Sequence, residues 1–224
     1  SVVSWASEMC IRDRGSSNGI DTSFFTVQNI ISKEELRNRW GIGTTDFVFV
    51  FVGRIVKDKG INELVRSFVE LKKFYNDIRL LLVGGFEREL DPLAEDVEDK
   101  ISKDSFIISV GCQSDVRPFL VMADVLAFPS YREGFPNVVM QAGAMGLPSI
   151  VTDINGCNEI IQDGVNGKII PPKNEKALYE AMKWMYEHHK TKVKEMAQRA
   201  RPIIVERYEQ KKVWEELLKE YKRL

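Results

Sequence analysis

The chain has 224 residues, of which 44% are hydrophobic and 29% charged, the profile of a globular protein long enough to bury a substantial core. Lys and Arg number 32 against 33 Asp and Glu, so the formal net charge is -1 and there is no global field to attract nucleic acid or an anionic membrane. No nucleic-acid partner is expected.

Cys10, Cys112 and Cys157 are an odd number of widely spaced cysteines, with no C-x-x-C pair and no metal-ligand spacing to His188 and His189. They read as reduced thiols of a cytoplasmic protein; a peripheral position at the inner face of the membrane is a separate expectation. No metal and no other cofactor is expected. No apolar run approaches the ~18–20 residues that span a bilayer, and residues 1–7 lack the pattern of a signal peptide.

In chain order, residues 1–14 neither alternate nor lead naturally into the Gly15–Asp21 stretch, and they are set apart as an uncertain or foreign N-terminal segment. Residues 15–224 form the domain proper. Residues 47–52, Phe-Val-Phe-Val-Phe-Val, are an unbroken apolar run suited to a strand covered on both faces. Residues 79–83, 106–110, 125–128, 149–152 and 168–170 read as further strands. Between them, residues 61–75, 93–102, 115–122 and 136–145 carry apolar residues at helical spacing. This alternation predicts an α/β fold with a doubly wound parallel sheet, helices on both faces, and a C-terminal helical extension. In the charged tail, Ala177, Ala181, Trp184 and Met185 make one apolar stripe. Val213, Leu217 and Tyr221, flanked by Trp214 and Leu218, make another. Pro202 is expected to kink or restart the helix between them.

In open α/β sheets ligands bind beyond the carboxyl ends of the strands, so the residues after each run carry most of the information. Gly53, Arg54, Lys57, Lys59 and Gly60 follow the first, Gly84 and Gly85 the second, and Gly111 the third. Residues 129–137, Pro-Ser-Tyr-Arg-Glu-Gly-Phe-Pro-Asn, follow the fourth, and Asp153 to Gly156 the fifth. Arg54 offers a planar fork of donors and Lys59 a point charge, a pairing suited to phosphate oxygens. Gly53, Gly60 and Gly84 let backbone approach a ligand. Pro136 fits the first turn of a helix, which leaves the amides of Asn137, Val138 and Val139 as an anion site. Glu133, just before that helix, is placed to accept from sugar hydroxyls, and Gln141 lies one turn beyond Asn137. Each of these residues alone also fits an ordinary surface role; their convergence on one sheet edge favours a site. His188 and His189 close a helix and favour its dipole rather than a metal, and the acidic stretch 87–99 reads as a solvated face. No GxGxxG, P-loop or G-x-S-x-G is present.

Gly53-Arg54-(x)4-Lys59-Gly60, together with Glu133-Gly-Phe-Pro-Asn-Val-Val-Met-Gln141, resembles the C-terminal donor domain of retaining GT-B glycosyltransferases of family 4. Residues 18–21, Asn-Gly-Ile-Asp, look like that family's segment arriving from the interdomain hinge. Gly146-Leu147-Pro148 and Asp163 to Gly167 are similar too. The resemblance implies a Rossmann-like half of a two-domain enzyme that holds a nucleotide diphosphate sugar of UDP or GDP type. It further implies a glycan or lipid-linked acceptor, and a missing N-terminal GT-B domain as partner. On that resemblance Arg54 and Lys59 clamp the diphosphate and Glu133 faces the sugar. The backbone from Phe135 through Pro136 and Asn137 to Val138 surrounds sugar and phosphate. The family's second glutamate, which grips the ribose, is Gln141 here. Phe135-Pro136-Asn137 and residues 152–158 most resemble bacterial surface-polysaccharide and lipid-linked oligosaccharide enzymes. The fragment alone is expected to be inactive. A non-catalytic nucleotide-sugar binding module, or degenerate fragment, remains the alternative. A flavodoxin-like signalling domain is disfavoured by Arg54 and Lys57 standing where acidic residues would be required.

Overall fold

The computed structural model describes residues 19–28 and 30–222. Residues 1–14, set apart above, and Asn18 of the hinge-like segment lie outside the described residues, as does Cys10.

Six strands form one parallel sheet: β1 (Phe47–Val52), β2 (Ile78–Val83), β3 (Ile107–Ser109), β4 (Val125–Phe128), β5 (Ser149–Thr152) and β6 (Gly167–Ile170). Their order is β3-β2-β1-β4-β5-β6, with every neighbouring pair parallel. This is the doubly wound α/β sheet expected from the alternation of strand and helix. The order reverses between β1 and β4, and that switch point is where such sheets open a crevice. All six residues of β1 are buried, as its unbroken apolar run requires of a central strand. β3 is shorter than the apolar pattern suggested, although the flanking Phe106 carbonyl and Val110 amide still hydrogen-bond to Leu80 and Leu82 of β2, each at 3.0 Å.

Nine helices are described: α1 (Lys33–Arg39), α2 (Ile61–Lys72), α3 (Glu95–Lys103), α4 (Arg117–Met122), α5 (Asn137–Ala144), α6 (Cys157–Ile160), α7 (Glu175–Glu187), α8 (Lys192–Tyr208) and α9 (Gln210–Tyr221). Helix α2 packs on α7, α5 on α8, and α1 on α4. The periodicity missed α1 and α6, which are too short to show a repeat. Helix α1 is instead held by a polar anchor at the opposite edge of the sheet. Buried Arg37 donates to the carbonyls of Met122, Thr44 and Asp46 and pairs with Asp124 at 2.7 Å. Asp124 also takes Lys33 at 2.6 Å and the Val48 amide at 2.8 Å.

Two expectations for the tail need correction. The α7 stripe is rotated: Leu178, Ala181, Met182 and Met185 are its buried face, while Ala177 and Trp184 sit at its margin. Pro202 does not restart the helix, since α8 runs through it to Tyr208. Packing outweighs the lost backbone hydrogen bond, because Ala200 and Ile204 are buried and Ile204 presses so closely on Gly143 of α5 that no larger residue fits there. The break falls at Glu209, whose extended backbone separates α8 from α9. There the arriving chain is stitched in. The Ile20 amide donates to the Tyr208 carbonyl at 2.8 Å and the Gln210 amide to the Ile20 carbonyl at 3.0 Å. On α9, Trp214, Leu218 and Tyr221 are exposed.

Candidate functional site

The β1–β2 pairing continues past the strands. The Gly53 amide donates to the Val83 carbonyl at 2.9 Å and the Ile55 amide to the Gly85 carbonyl at 2.8 Å. Gly84 is obligatory in this extension: its φ is 152°, and a Cβ there would run into the Gly53 carbonyl oxygen. The ladder therefore fixes Arg54 beside the loop that leaves β2. Arg54 Nη1 lies 2.8 Å from Glu87 Oε2, and the arginine side chain is 54% exposed.

A 3-10 turn, Lys57–Lys59, follows. Asp91 holds it from the β2 loop: its carboxylate accepts from the Asp58 amide at 2.6 Å and its carbonyl from the Lys57 amide at 3.4 Å. Gly60 then turns the chain in the left-handed region, φ 71°, against the Pro129 carbonyl, where a side chain would collide. That close approach brings the β1 and β4 loops together across the switch point. Lys59 Nζ reaches Glu133 Oε1 at 2.6 Å, with the side chains only 14% and 16% exposed. Buried Ser130 donates to the same carboxylate oxygen at 2.8 Å. The Tyr131 amide donates to the Asp58 carbonyl at 2.9 Å, which locks the two loops a second time. The buried Cys157 thiol lies close to this pair. Burial pushes its pKa up to about 12, with the Glu133 charge adding to the rise and Lys59 opposing it.

Helix α5 opens on the same edge. Pro136 is its N-cap rather than its first residue, and the Val139 amide turns back to the Pro136 carbonyl at 3.1 Å, so it is not a free donor as expected. The Asn137 and Val138 amides have no protein partner among the described residues. The Phe135 ring packs at a tilt on Tyr208, with centroids 5.6 Å apart, and is partly buried there. Gln141 is half-buried on the turn after Asn137.

Of the candidates named from sequence, Lys59 and Glu133 prove to pair with each other, while Arg54 pairs with Glu87, which the sequence does not single out. Of the acidic stretch read as a solvated face, Glu87 and Asp91 instead turn back to the strand ends; loop carboxylates carry no periodic signal that could announce this. Nothing in the sequence assigns Tyr131 a role. Its hydroxyl donates to Glu63 at 2.6 Å, and burial, then that hydrogen bond, pushes its pKa up. His188 caps the end of α7, its ring within 2.9 Å of the Trp184 carbonyl. Among the described residues no group of three metal-ligating side chains gathers, and no helix is long and apolar enough to cross a membrane.

Sheet order and strand-end loops define a Rossmann-like α/β domain of the kind that forms half of a GT-B fold. The chain belongs to the glycosyl transferases group 1 family, whose model matches residues 32–202. It is 31% identical over 204 residues to the capsular polysaccharide biosynthesis glycosyltransferase CapM of Staphylococcus aureus, covering 91% of this chain and 52% of that protein. It is 34% identical to the putative teichuronic acid biosynthesis glycosyltransferase TuaC of Bacillus subtilis, covering 76% of this chain and 40% of that one. The chain thus spans about half the length of these curated relatives. Among solved structures it is similar in fold to Anabaena Alr3699/HepE in complex with UDP-glucose, with a TM-score of 0.80 at 20% identity over 92% of this chain and 56% of that one. It also resembles the C-terminal domain of the group 1 protein LpcC from Francisella tularensis, with a TM-score of 0.73 at 23% identity over 84% of this chain and 97% of that domain.

Proposed function

We propose that this chain is the donor-binding half of a glycosyltransferase. In this reading it moves a sugar from a nucleotide diphosphate sugar of UDP or GDP type to a glycan or lipid-linked acceptor, with retention of configuration, as family 4 enzymes do. The observation that carries the reading is the Lys59–Glu133 pair across the strand-order switch point, with Arg54 at the end of β1 and helix α5 opening shortly after Glu133. A UDP-glucose complex among the fold neighbours and polysaccharide enzymes among the relatives support it.

In the mechanism, the diphosphate lies against the backbone of Gly53 and Gly84 at the ends of β1 and β2. Arg54 and Lys59 meet its oxygens, and the Asn137 and Val138 amides complete the anion site. As the glycosidic bond breaks, negative charge grows on the departing diphosphate. These donors are already in place to stabilise it, which is worth roughly 10²–10³ in rate for each well-placed group. Glu133, oriented by Ser130, accepts from sugar hydroxyls, and Gln141 meets the ribose. The acceptor site belongs to a second GT-B domain, in keeping with relatives about twice as long, and this half alone binds donor without transferring sugar. A cytoplasmic position, peripheral to the inner face of the membrane, would suit a lipid-linked acceptor.

A second reading, a nucleotide-sugar binding module without catalysis, is favoured by one residue: Gln141 stands where the resembling enzymes place a ribose-gripping glutamate. Calorimetric titration of UDP, GDP and their sugars against the chain tests the shared premise. Binding of one series, lost in both Arg54→Ala and Lys59→Ala with the fold retained, is the expected result. Failure to bind either series overturns both readings. Glycosyl transfer by the complete two-domain protein then separates enzyme from module.

A further inference from the structure

Arg54, the more exposed of the two cations, is already engaged before any ligand arrives, and its partner comes from the neighbouring strand-end loop. We infer that Glu87 is a charge gate on the donor site: a fixed carboxylate beside the diphosphate position that favours nucleotide sugars over more highly charged nucleotides. This rests on the diphosphate reading of Arg54 given above.

Backbone geometry sets where the two residues stand. Arg54 and Glu87 flank the continued β1–β2 ladder, in which the Ile55 amide is tied to the Gly85 carbonyl and Ile55 pairs with Phe86. The Glu87 carbonyl accepts from the amides of Leu90 and Asp91, so the loop folds on itself immediately beyond. The Glu87 backbone is thus held on both sides, and its carboxylate is directed by the 2.8 Å contact to Arg54. It touches Arg54 through one nitrogen only, which leaves the rest of the guanidinium fork for an anion. Any phosphate oxygen taking those donors comes within about 6 Å of the Glu87 carboxylate, given ordinary charge-assisted bond lengths.

At that separation, in a site open to water, one unit of like charge weakens binding by about threefold. A nucleotide diphosphate sugar carries two negative charges near neutral pH. The free nucleoside diphosphate carries nearly one more and the triphosphate nearly two more, because a terminal phosphate loses its second proton near pH 6. Glu87 therefore penalises the triphosphate most and the sugar-bearing donor least. The same repulsion acts on the product: once the sugar has left, the diphosphate holds an extra charge beside Glu87 and its release is favoured. Lys59 shows the complementary arrangement, since its counter-charge, Glu133, lies on the sugar side of the site in the proposed mechanism.

The test is titration of UDP-glucose, UDP and UTP, and of the matching guanosine series, against the wild-type chain, Glu87→Gln and Glu87→Ala. Thermal melts check that each variant is folded. Glutamine keeps an oxygen for Arg54 but removes the charge. The gate requires Glu87→Gln to tighten binding in a graded way, least for the sugar nucleotide and by about two- to threefold more at each step to diphosphate and triphosphate. About 0.5 M salt should flatten the gradient. If Glu87 merely orients Arg54, glutamine leaves affinities unchanged and alanine weakens all of them alike, which overturns the inference while the diphosphate reading stands. If the wild-type chain binds none of the six ligands, the reading beneath it fails instead.

Discussion

Lys59 and Glu133 are 74 residues apart in the chain and 2.6 Å apart in space, joined across the point where the strand order reverses. The pair exists because Gly60 lets the β1 loop press against the end of β4. Lys59→Ala removes the proposed phosphate donor and strands a half-buried carboxylate. It should weaken diphosphate binding at least tenfold and lower stability by about 1–3 kcal/mol. Glu133→Gln frees the lysine. It should keep UDP or GDP affinity within about threefold while abolishing sugar transfer in the two-domain protein. Calorimetry, melts and a transfer assay distinguish these outcomes; equal loss of diphosphate binding in both variants would contradict the separation of roles.

Three glycines with positive φ should rank by what a methyl group meets. At Gly84 and Gly60 it strikes a backbone carbonyl, of Gly53 and Pro129 respectively. Alanine at either should cost about 2–4 kcal/mol and disturb the site. Gly111 has φ 69° but open space around it, so alanine there should cost only about 1 kcal/mol. Urea unfolding of the three variants gives the ranking directly.

Exposed Cys112 should react with iodoacetamide at pH 8 while buried Cys157 should not, as peptide mapping would show. The Cys157 pKa is about 12 in the fold, against ~8.5 for an ordinary thiol. Because the folded value is the higher, the associated stability is fully present below about pH 8.5 and is lost as pH rises toward 12. Cys157→Ser should make the alkaline side of the stability profile flatter. Rapid alkylation of Cys157 in the native protein would contradict this.

Gln141→Glu should tighten binding of the whole nucleotide several-fold and leave inorganic diphosphate unaffected, since a carboxylate accepts from two ribose hydroxyls better than an amide does. Equal changes for both ligands, measured by titration, would remove Gln141 from the ribose site.

Asp124→Ala should cost about 2–4 kcal/mol, because it leaves Arg37, 4% exposed, without its carboxylate at the far edge of the sheet. Trp214→Ser on the exposed face of α9 should change the stability of this chain by less than about 0.5 kcal/mol and reduce self-association. Denaturant melts and sedimentation would show both. A large loss for Trp214→Ser would mean that the α9 face is already covered.

Local chemistry alone determined much of this protein. The alternation of β-branched runs with helical spacing dictated an α/β sheet, and Phe47–Val52 could only be a strand buried on both faces. Arg54, Lys59 and Glu133 stand out as candidates because strand ends are where such sheets leave polar groups free. Side-chain pattern, however, reports only which face of an element is apolar, not which element it meets. The order of the six strands, and hence the meeting of the β1 and β4 loops, came from packing between distant segments. The same holds for Glu87 and Asp91, whose loop has no period and whose direction is set by the backbone ladder beyond β2. Pro202 shows the limit from the other side: its local preference to end a helix is real, but Ala200 and Ile204 packed against α5 outweigh it. Propensity is a matter of about 3 kcal/mol at one residue, and several buried contacts summed across an interface exceed it.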